Sequence, residues 1–491
     1  MDAGSAGGQT SRHPRARVTD VSVLLKGTGT TQTAPAPPAT ERDEAAQAAE
    51  AHAPAERPHV CFISQNLYGL LYPASGLEFG GAEVQVLTLA KALRRQGVRV
   101  SVLAGDGLEA RRDTIDGVTV VLDPHIGGHL RPPSPVPEAS WGGRAARARA
   151  WLDRRPPWVA SAVRGLVRGL YTCRRWVVSW LPMAALVSAW RARQGVRLWV
   201  DVLRPVGADI FVTRCSGGGV GYMERACRRL RAKFVYMVAH EYDVSGEYGR
   251  TNGAWGRQYE RGLTRADLVV CQHRGQQDLL RERYQRDGSV IRSLCPLPVR
   301  PGPPQAERRI VLWVARLEQW KQPELIVDLA RRLPGESFVM VAPPTRLDRD
   351  YSGRIEAEVA TLPNLRLVPG VPFSEITALF EDAKVFVNTS HYEGFPNTFL
   401  QAAACGTPIV SWAVNPEGLL ERHRIGYCAE QDQAAFEARV RHLCATPALR
   451  EEIGNNGRQY VSRFHDPAVI AREYARLFAQ LAMPARSRNG A

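Results

Sequence analysis

The feature that most constrains this chain is a rhythm of short apolar runs alternating with amphipathic stretches of about ten to fifteen residues. An apolar run, Val60 to Ile63, leads through a glycine loop into a helical pattern from Ala82 to Gln96, and a second run follows from Val98 to Ala104. A strand covered on both faces reads as a continuous apolar run, and the crossover to its parallel neighbour reads as a helix, so this alternation predicts β-α-β units. It occurs in two blocks. The first continues with Asp209 to Thr213, Phe234 to Val238, Leu268 to Cys271 and Val290 to Leu294. The second holds Ile310 to Val314, Phe338 to Val341, Leu365 to Val368, Val385 to Asn388 and Ile409 to Trp412. Between them Cys295 to Pro304 carries five prolines and one glycine, a semi-rigid connector without regular structure. The expected fold class is α/β: two doubly wound domains joined by that linker. Ligands sit at the carboxyl ends of the strands in such sheets, so the cleft between the domains is the expected site.

Composition removes other classes. With 44% hydrophobic and 23% charged residues, a disordered chain, a collagen-like repeat and a coiled-coil rod are excluded. A net charge of +15 raises nucleic acid or an anionic membrane as a partner. Only five of the 64 basic residues are lysine (Lys26, Lys91, Lys233, Lys321, Lys384), and no recognition motif or basic stripe with interleaved aromatics accompanies the charge, so no nucleic-acid partner is expected. Residues 1 to 57 lack Phe, Trp and Tyr and include Ala34-Pro35-Ala36-Pro37-Pro38, which predicts a disordered tail. Nine cysteines without C-x-x-C or zinc spacing read as buried thiols in a reducing compartment. With neither a signal peptide nor an apolar stretch of about 20 residues, the expected location is cytoplasmic.

One segment interrupts the first block. Residues 131 to 205 contain fourteen arginines against three acids (Glu138, Asp153, Asp201), together with seven of the eleven tryptophans. Trp176 to Trp190 is uncharged and sets Trp176, Trp180, Met183, Val187 and Trp190 on one helical face, with Pro182 kinking or restarting the helix. Such a segment suits docking onto an anionic membrane surface, peripherally on the inner face of the plasma membrane. It equally suits a helical hairpin packed on the first domain.

Ser390-His-Tyr-Glu-Gly-Phe-Pro-Asn-Thr-Phe-Leu-Gln-Ala-Ala-Ala-Cys-Gly-Thr-Pro-Ile-Val410 follows an apolar strand, turns through Gly394 and Pro396, opens a helix near Asn397 and ends it at Gly406. A helix starting there presents free N–H groups and a positive dipole to a phosphate, with Glu393 beside it. Val311-Leu-Trp-Val-Ala-Arg-Leu-Glu-Gln-Trp-Lys-Gln-Pro323 places Arg316 and Lys321 on one strand-to-helix loop, where both cations reach one phosphate group. Phe79-Gly-Gly-Ala-Glu83 opens the first domain's helix with small residues that permit close approach. His240-Glu241 ends the run Phe234 to Ala239. Gly217-Gly-Gly-Val-Gly221 follows a strand but has Tyr222 where a dinucleotide fingerprint needs its last glycine.

These segments resemble the retaining GT-B glycosyltransferases, in particular family 4 (glycosyl transferases group 1). The resemblance is strongest from residue 308 to 430. It implies two Rossmann-like domains: residues 58–297 on the acceptor side, a linker at 298–307, a nucleotide-sugar domain at 308–465, and a helix at 466–482 crossing back. Glu393 matches the family's first motif glutamate, which contacts the transferred sugar. The second glutamate, on the ribose, falls on Gln401, a departure. Ala315 and Gln322 replace glycines of the family's phosphate loop, and His240 takes the place of its cleft histidine. Implied catalytic residues are therefore Glu393 and His240, and implied donor-binding residues are Gly80, Gly81, Arg316, Lys321, Phe395, Pro396, Asn397, Thr398 and Gln401. Base recognition is expected near Pro369 to Phe373.

The implied reaction moves a sugar, with retention, from a nucleotide-diphosphate sugar (UDP- or GDP-sugar) to an acceptor hydroxyl. No cofactor is implied, and no metal, since cations and a helix start supply positive charge and no Asp-x-Asp element is visible. A lipid-linked or glycan acceptor, as in surface polysaccharide assembly, follows from the basic tryptophan-rich segment. The alternatives are a non-catalytic membrane adaptor on the same frame, or a sugar-nucleotide epimerase or phosphorylase of the same architecture.

Overall fold

The computed structural model describes residues 57–75, 77, 79–105, 110–126, 182–343, 349–372 and 375–483. The predicted tail up to residue 56, residues 131–181 of the basic segment and Phe373 lie outside the described residues, as do the side chains of Met183, Val187 and Trp190.

Eight strands form the first sheet: β1 (His59–Ile63), β2 (Arg99–Ala104), β3 (Arg111–Ile115), β4 (Val118–Leu122), β5 (Ile210–Arg214), β6 (Lys233–Met237), β7 (Leu268–Cys271) and β8 (Ser289–Val290), in the order β3-β4-β2-β1-β5-β6-β7-β8. All neighbours run parallel except β3 against β4. The second sheet orders β9 (Ile310–Val314), β10 (Ser337–Val341), β11 (Leu365–Val368), β12 (Ala383–Asn388), β13 (Ile409–Ser411) and β14 (Gly426–Cys428) as β11-β10-β9-β12-β13-β14, all parallel. The strand order reverses beside β9, which places a topological switch point between β9 and β12.

The apolar runs are continuous because both faces of each sheet are covered. Along β1, Val60 and Phe62 enter one core while Cys61 and Ile63 enter the other. His59 is only 5% exposed; its ring lies 2.7 Å from Ser101 Oγ and 3.2 Å from the Gly207 carbonyl, which satisfies both nitrogens.

Two expectations need correction and one reading is narrowed. The run Val290 to Leu294 is mostly not strand, since β8 ends at Val290. Beyond it the Gln85 side chain takes the place of a neighbouring strand: its amide donates to the Leu294 carbonyl at 2.9 Å, and its carbonyl accepts from the Leu294 N–H at 3.1 Å. Residues 182–205 of the basic segment pack on the first lobe, the second of the two readings given for it. A helix runs from Pro182 to Leu203, restarting at the proline, and Val196, Trp199, Val200, Val202 and Leu203 are built into the first lobe's core. Cys215 is exposed rather than buried and holds a left-handed φ of 72°. The reading also missed the β3–β4 hairpin, whose Asp116-Gly117 turn has φ of 50° and 75°, the conformation for which Asp-Gly is selected.

The connector ties into the end of the second lobe, where the Cys295 N–H donates to the His465 carbonyl at 2.9 Å. Asp466 then caps a final helix, Pro467–Ala482, accepting from the N–H groups of Ala468 and Val469 at 2.9 Å each. Ile470, Ala471, Tyr474 and Phe478 of this helix join the core of the first sheet, with Phe478 edge-on to Phe62 at 6.5 Å.

Candidate functional site

Because β9 and β12 are neighbours, the loops leaving their carboxyl ends lie side by side. They are joined by several bonds. The His391 N–H donates to the Trp320 carbonyl at 2.9 Å, and Thr389 Oγ1 donates to the Lys321 carbonyl at 2.6 Å. The buried Trp313 indole donates to Thr389 Oγ1 at 2.8 Å. The rings of Trp320 and Tyr392 stack 5.3 Å apart, with the Lys321 ammonium over the Trp320 ring at 3.7 Å.

This scaffold places an ion pair at its centre. Lys321 Nζ bonds Glu393 Oε1, with their side chains 12% and 16% exposed, and Ser390 Oγ donates to the same carboxylate oxygen at 2.8 Å. Burial pulls the Lys321 ammonium below its ordinary 10.5, and the Glu393 carboxylate pushes back. Arg316 stands on the same loop with its guanidinium 3.3 Å from Glu318, and at 42% side-chain exposure it remains reachable from solvent. Gln322 ends the loop in a left-handed conformation, φ 47°, at the position where the resemblance would place glycine.

Pro396 precedes the helix Asn397–Ala404 with φ −65° and ψ 118°, so the first-turn N–H groups of Asn397 and Thr398 open toward the loop side. Gly406, φ 65°, ends the helix, and the Thr407 N–H closes back on the Ala402 carbonyl at 2.8 Å. Gln401 lies one turn along, half-buried. Phe395 turns the other way: its ring packs on His465 at 5.7 Å, toward the connector.

The first lobe meets these elements edge to edge. Gly80 and Gly81 are exposed at the start of the helix Gly81–Arg95, and the Gly80 N–H is held by Glu83 Oε2 at 2.8 Å. Asn397 Nδ2 donates to the Gly81 carbonyl at 2.9 Å across the seam. Gly394 lies against the end of β6, where a Cβ would stand 2.6 Å from the Ala239 carbonyl oxygen and 3.0 Å from His240 Cα. Farther along, the Arg274 N–H donates to Glu417 Oε1 at 3.0 Å.

His240 is positioned at the same junction. Its Nδ1 accepts from the Tyr242 N–H at 3.0 Å, which leaves the ring proton of the neutral form on Nε2. That Nε2 is buried without a partner, and the ring lies edge-on to Tyr392 at 5.7 Å. Asp243, 2% exposed, holds the loop by accepting from the N–H groups of Ala239 at 2.8 Å and His240 at 3.3 Å. Burial raises the Asp243 carboxyl above its ordinary range, and those two bonds oppose the rise. Asn397 Oδ1 and Gln322 Oε1 are likewise buried without partners.

Gly80, Gly81, His240, Lys321, Glu393 and Asn397 are thus brought together, with Arg316, Thr398 and Gln401 around them, whereas Phe395 and the buried Pro396 serve as scaffold. Sequence reasoning missed Ser390, Asp243 and the Trp320–Tyr392 pair. The three-residue spacings Ser390 to Glu393 and His240 to Asp243 were the available signals, since each is one turn of a local side-chain bond.

Residues 300–460 match the family model for glycosyl transferases group 1. D-inositol 3-phosphate glycosyltransferase of Mycobacterium tuberculosis (strain CDC 1551 / Oshkosh) is 28% identical over 177 residues, covering 33% of this chain and 34% of the relative. The same protein of Mycobacterium bovis (strain ATCC BAA-935 / AF2122/97) matches equally, so the chain spans about a third of the length of these curated relatives. Among solved structures, sucrose-phosphate synthase from Thermosynechococcus elongatus superposes with a TM-score of 0.61 at 18% identity, over 87% of this chain and 99% of that one. A trehalose-6-phosphate protein from E. coli bound with UDP-2-fluoro glucose superposes with a TM-score of 0.58 at 12% identity, over 86% and 99%. The fold is GT-B, two parallel-sheet α/β lobes.

Proposed function

We propose that this protein is a glycosyltransferase that moves a sugar from a nucleotide-diphosphate sugar to an acceptor hydroxyl at the seam between its lobes. The observation that carries the reading is the Lys321–Glu393 pair beside the Asn397 helix start, all within the region matching group 1 glycosyl transferases, with Tyr392 and Gly394 of the Glu393 loop meeting the ring and backbone of His240 from the other lobe. A UDP- or GDP-sugar fits that arrangement: Arg316, Lys321 and the N–H groups of Asn397 and Thr398 face the diphosphate, and Gln401 reaches the ribose through its amide. UDP-2-fluoro glucose, held by the E. coli neighbour, is a ligand of this class.

In the proposed step the bond between the anomeric carbon and the departing phosphate oxygen breaks. The acceptor oxygen bonds to that carbon on the same face, and its proton passes to the phosphate oxygen. Glu393 holds a sugar hydroxyl, the Nε2–H of His240 donates to another, and the two cations meet the charge that develops on the leaving diphosphate. A lipid-linked or glycan acceptor and a peripheral site on a membrane surface complete the proposal, the latter carried by the arginine and tryptophan content of residues 131–181.

The test is thermal shift of the full chain against UDP-, GDP-, ADP- and TDP-sugars, with Arg316→Ala and Glu393→Ala alongside. A ligand at 100 times its dissociation constant adds about 2.7 kcal/mol of stability, several degrees in melting temperature. One nucleotide class should stabilise the wild type and act weakly on Arg316→Ala. If none of the four shifts the transition, the reading fails.

A further inference from the structure

The glycine run Gly217-Gly-Gly-Val-Gly221 has no part in the donor site, yet it has a structural purpose. The helix Gly253–Arg265 runs antiparallel to the strands it follows, so its first turn stands at their carboxyl edge, the edge that also carries His240 and residues 215–219. Gly221 lets this helix approach, since a Cβ there would run into the Gln258 carbonyl. Gly218 does something different: it leaves bare backbone on which the six-membered ring of Trp255 rests, and a Cβ at 218 would occupy the indole's place. Tyr222 braces the same indole edge-on, with centroids 6.3 Å apart and planes at 82°. So supported, Trp255 remains 60% exposed, whereas Trp199 and Trp313 are 9% and 1% exposed in the cores.

A cluster of polar groups lies in the turn immediately before this helix. Tyr242, two residues beyond His240, places its hydroxyl 2.8 Å from Thr251 Oγ1, and Asn252 Nδ2 lies 2.9 Å from that same oxygen, all near the exposed surface. The Asn252 main-chain carbonyl accepts the Trp255 backbone N–H at 3.1 Å, so this cluster is carried on the first turn of the helix that presents the indole. A large rigid apolar face beside hydroxyl and amide groups is the combination that binds a pyranose: its C–H face lies on the ring, and its hydroxyls reach the polar rim.

We propose that Trp255, seated on Gly218 and flanked by Tyr242, Thr251 and Asn252, is the platform on which a saccharide unit of the acceptor stacks, so that the acceptor is a glycan. This rests on the glycosyltransferase reading for the word acceptor, but not for the saccharide site itself. The site stands on the lobe opposite the Lys321–Glu393 pair. It joins the proposed transfer point through the turn that carries both His240 and Tyr242.

The experiment probes the full chain, without nucleotide, on an array of immobilised oligosaccharides of glucose, galactose, mannose, rhamnose and N-acetylglucosamine in both anomeric linkages. Wild-type protein, Trp255→Ala, Trp255→Phe and Gly218→Ala are compared, and the UDP- and GDP-sugar thermal shift is recorded for each. We expect retention on a subset of glycans, a loss of about tenfold in apparent affinity for Trp255→Ala, partial recovery with Trp255→Phe, and Gly218→Ala behaving like the alanine variant. The nucleotide-sugar shift should be the same in all four, which also certifies that they fold. Retention of no glycan by the wild type, or equal retention by Trp255→Ala, overturns the platform. Tryptophan-dependent glycan retention with no nucleotide response upholds the platform and sinks the transferase reading instead.

Discussion

Gly394→Ala is the sharpest perturbation of the seam. The added methyl group would lie 2.6 Å from the Ala239 carbonyl oxygen and 3.0 Å from His240 Cα. Both are backbone atoms, fixed by β6 and by the Asp243 carboxylate, so no side chain can swing aside. A relaxed C···O contact needs about 3.3 Å, so the two lobes, or the loop from Ser390 to Pro396, must shift by about 0.7 Å. Placing a methyl group in a tight contact costs about 1–3 kcal/mol, and misplacing reacting groups by about 1 Å costs about a hundredfold in rate. The backbone conformation at 394 does not itself demand glycine, so strain adds nothing to this figure.

The variant should therefore lose about a hundredfold in kcat with the nucleotide sugar that stabilises the wild type, while its dissociation constant for that donor changes by no more than a few-fold. The donor contacts proposed on Arg316, Lys321 and Asn397 all belong to the second lobe, whereas the displaced partner is the first. Initial-rate assays paired with thermal shift separate the two quantities. Turnover within threefold of wild type would refute the reasoning, because the lobes would then not need this separation for transfer. Gly81→Ala makes a useful contrast, since its methyl group meets the Asn397 side chain rather than backbone, and a smaller loss is expected.

Three further outcomes follow from the same geometry. Glu393→Ala leaves the Lys321 ammonium buried without its partner and should destabilise the fold by about 2 kcal/mol, whereas the double variant with Lys321→Met should recover most of that loss in denaturant unfolding. Burial lowers His465 from 6.5 to about 4, so the unfolded chain takes up a proton first as the pH falls; stability is full above pH 6.5 and declines toward pH 4 by about 3 kcal/mol, and His465→Gln should flatten that decline in melting curves. Deletion of residues 131–181 spares the core helix Pro182–Leu203 and should abolish co-sedimentation with anionic liposomes, and equal sedimentation of both forms would dispose of the membrane contact.

The parts of the fold legible in the sequence were those fixed by burial on both faces. Cys61 and Phe62 face opposite cores, so β1 could only read as an apolar run, and the same holds for Val311 and Leu312 in β9. Strands at the rim were not legible. Arg111–Ile115 is largely exposed, and Gly426–Cys428 has three residues, so neither produces a pattern. The misread Val290 to Leu294 shows a different limit: the bonds that hold it come from Gln85, more than two hundred positions away, which no local pattern encodes. At the site, the nearness of Lys321, Glu393 and Asn397 was legible because the loops that leave the carboxyl ends of parallel strands share one edge of the sheet. Trp320 and Tyr392 were not, since the stacking that makes them one unit arises only once β9 and β12 are side by side.

The connections between the lobes explain how the two halves of the site are kept in register. Directly behind Phe395, His465 receives that ring, accepts the Cys295 N–H on its carbonyl and places Nδ1 2.5 Å from the Ser293 carbonyl and Nε2 2.9 Å from the Tyr460 hydroxyl. One neutral imidazole, donating through Nδ1 and accepting through Nε2, therefore joins the connector, the start of the crossing helix and the loop that carries Glu393. The seam itself is held by single bonds, Asn397 to Gly81 and Arg274 to Glu417, each worth about 1 kcal/mol and each between groups that water can also satisfy. A stiff buried pivot beside a seam of weak bonds is the arrangement that lets two lobes part and meet again on the same atoms. Gly394 abuts the Ala239 and His240 backbone at this seam, which is why a single methyl group there should register in turnover before it registers in binding.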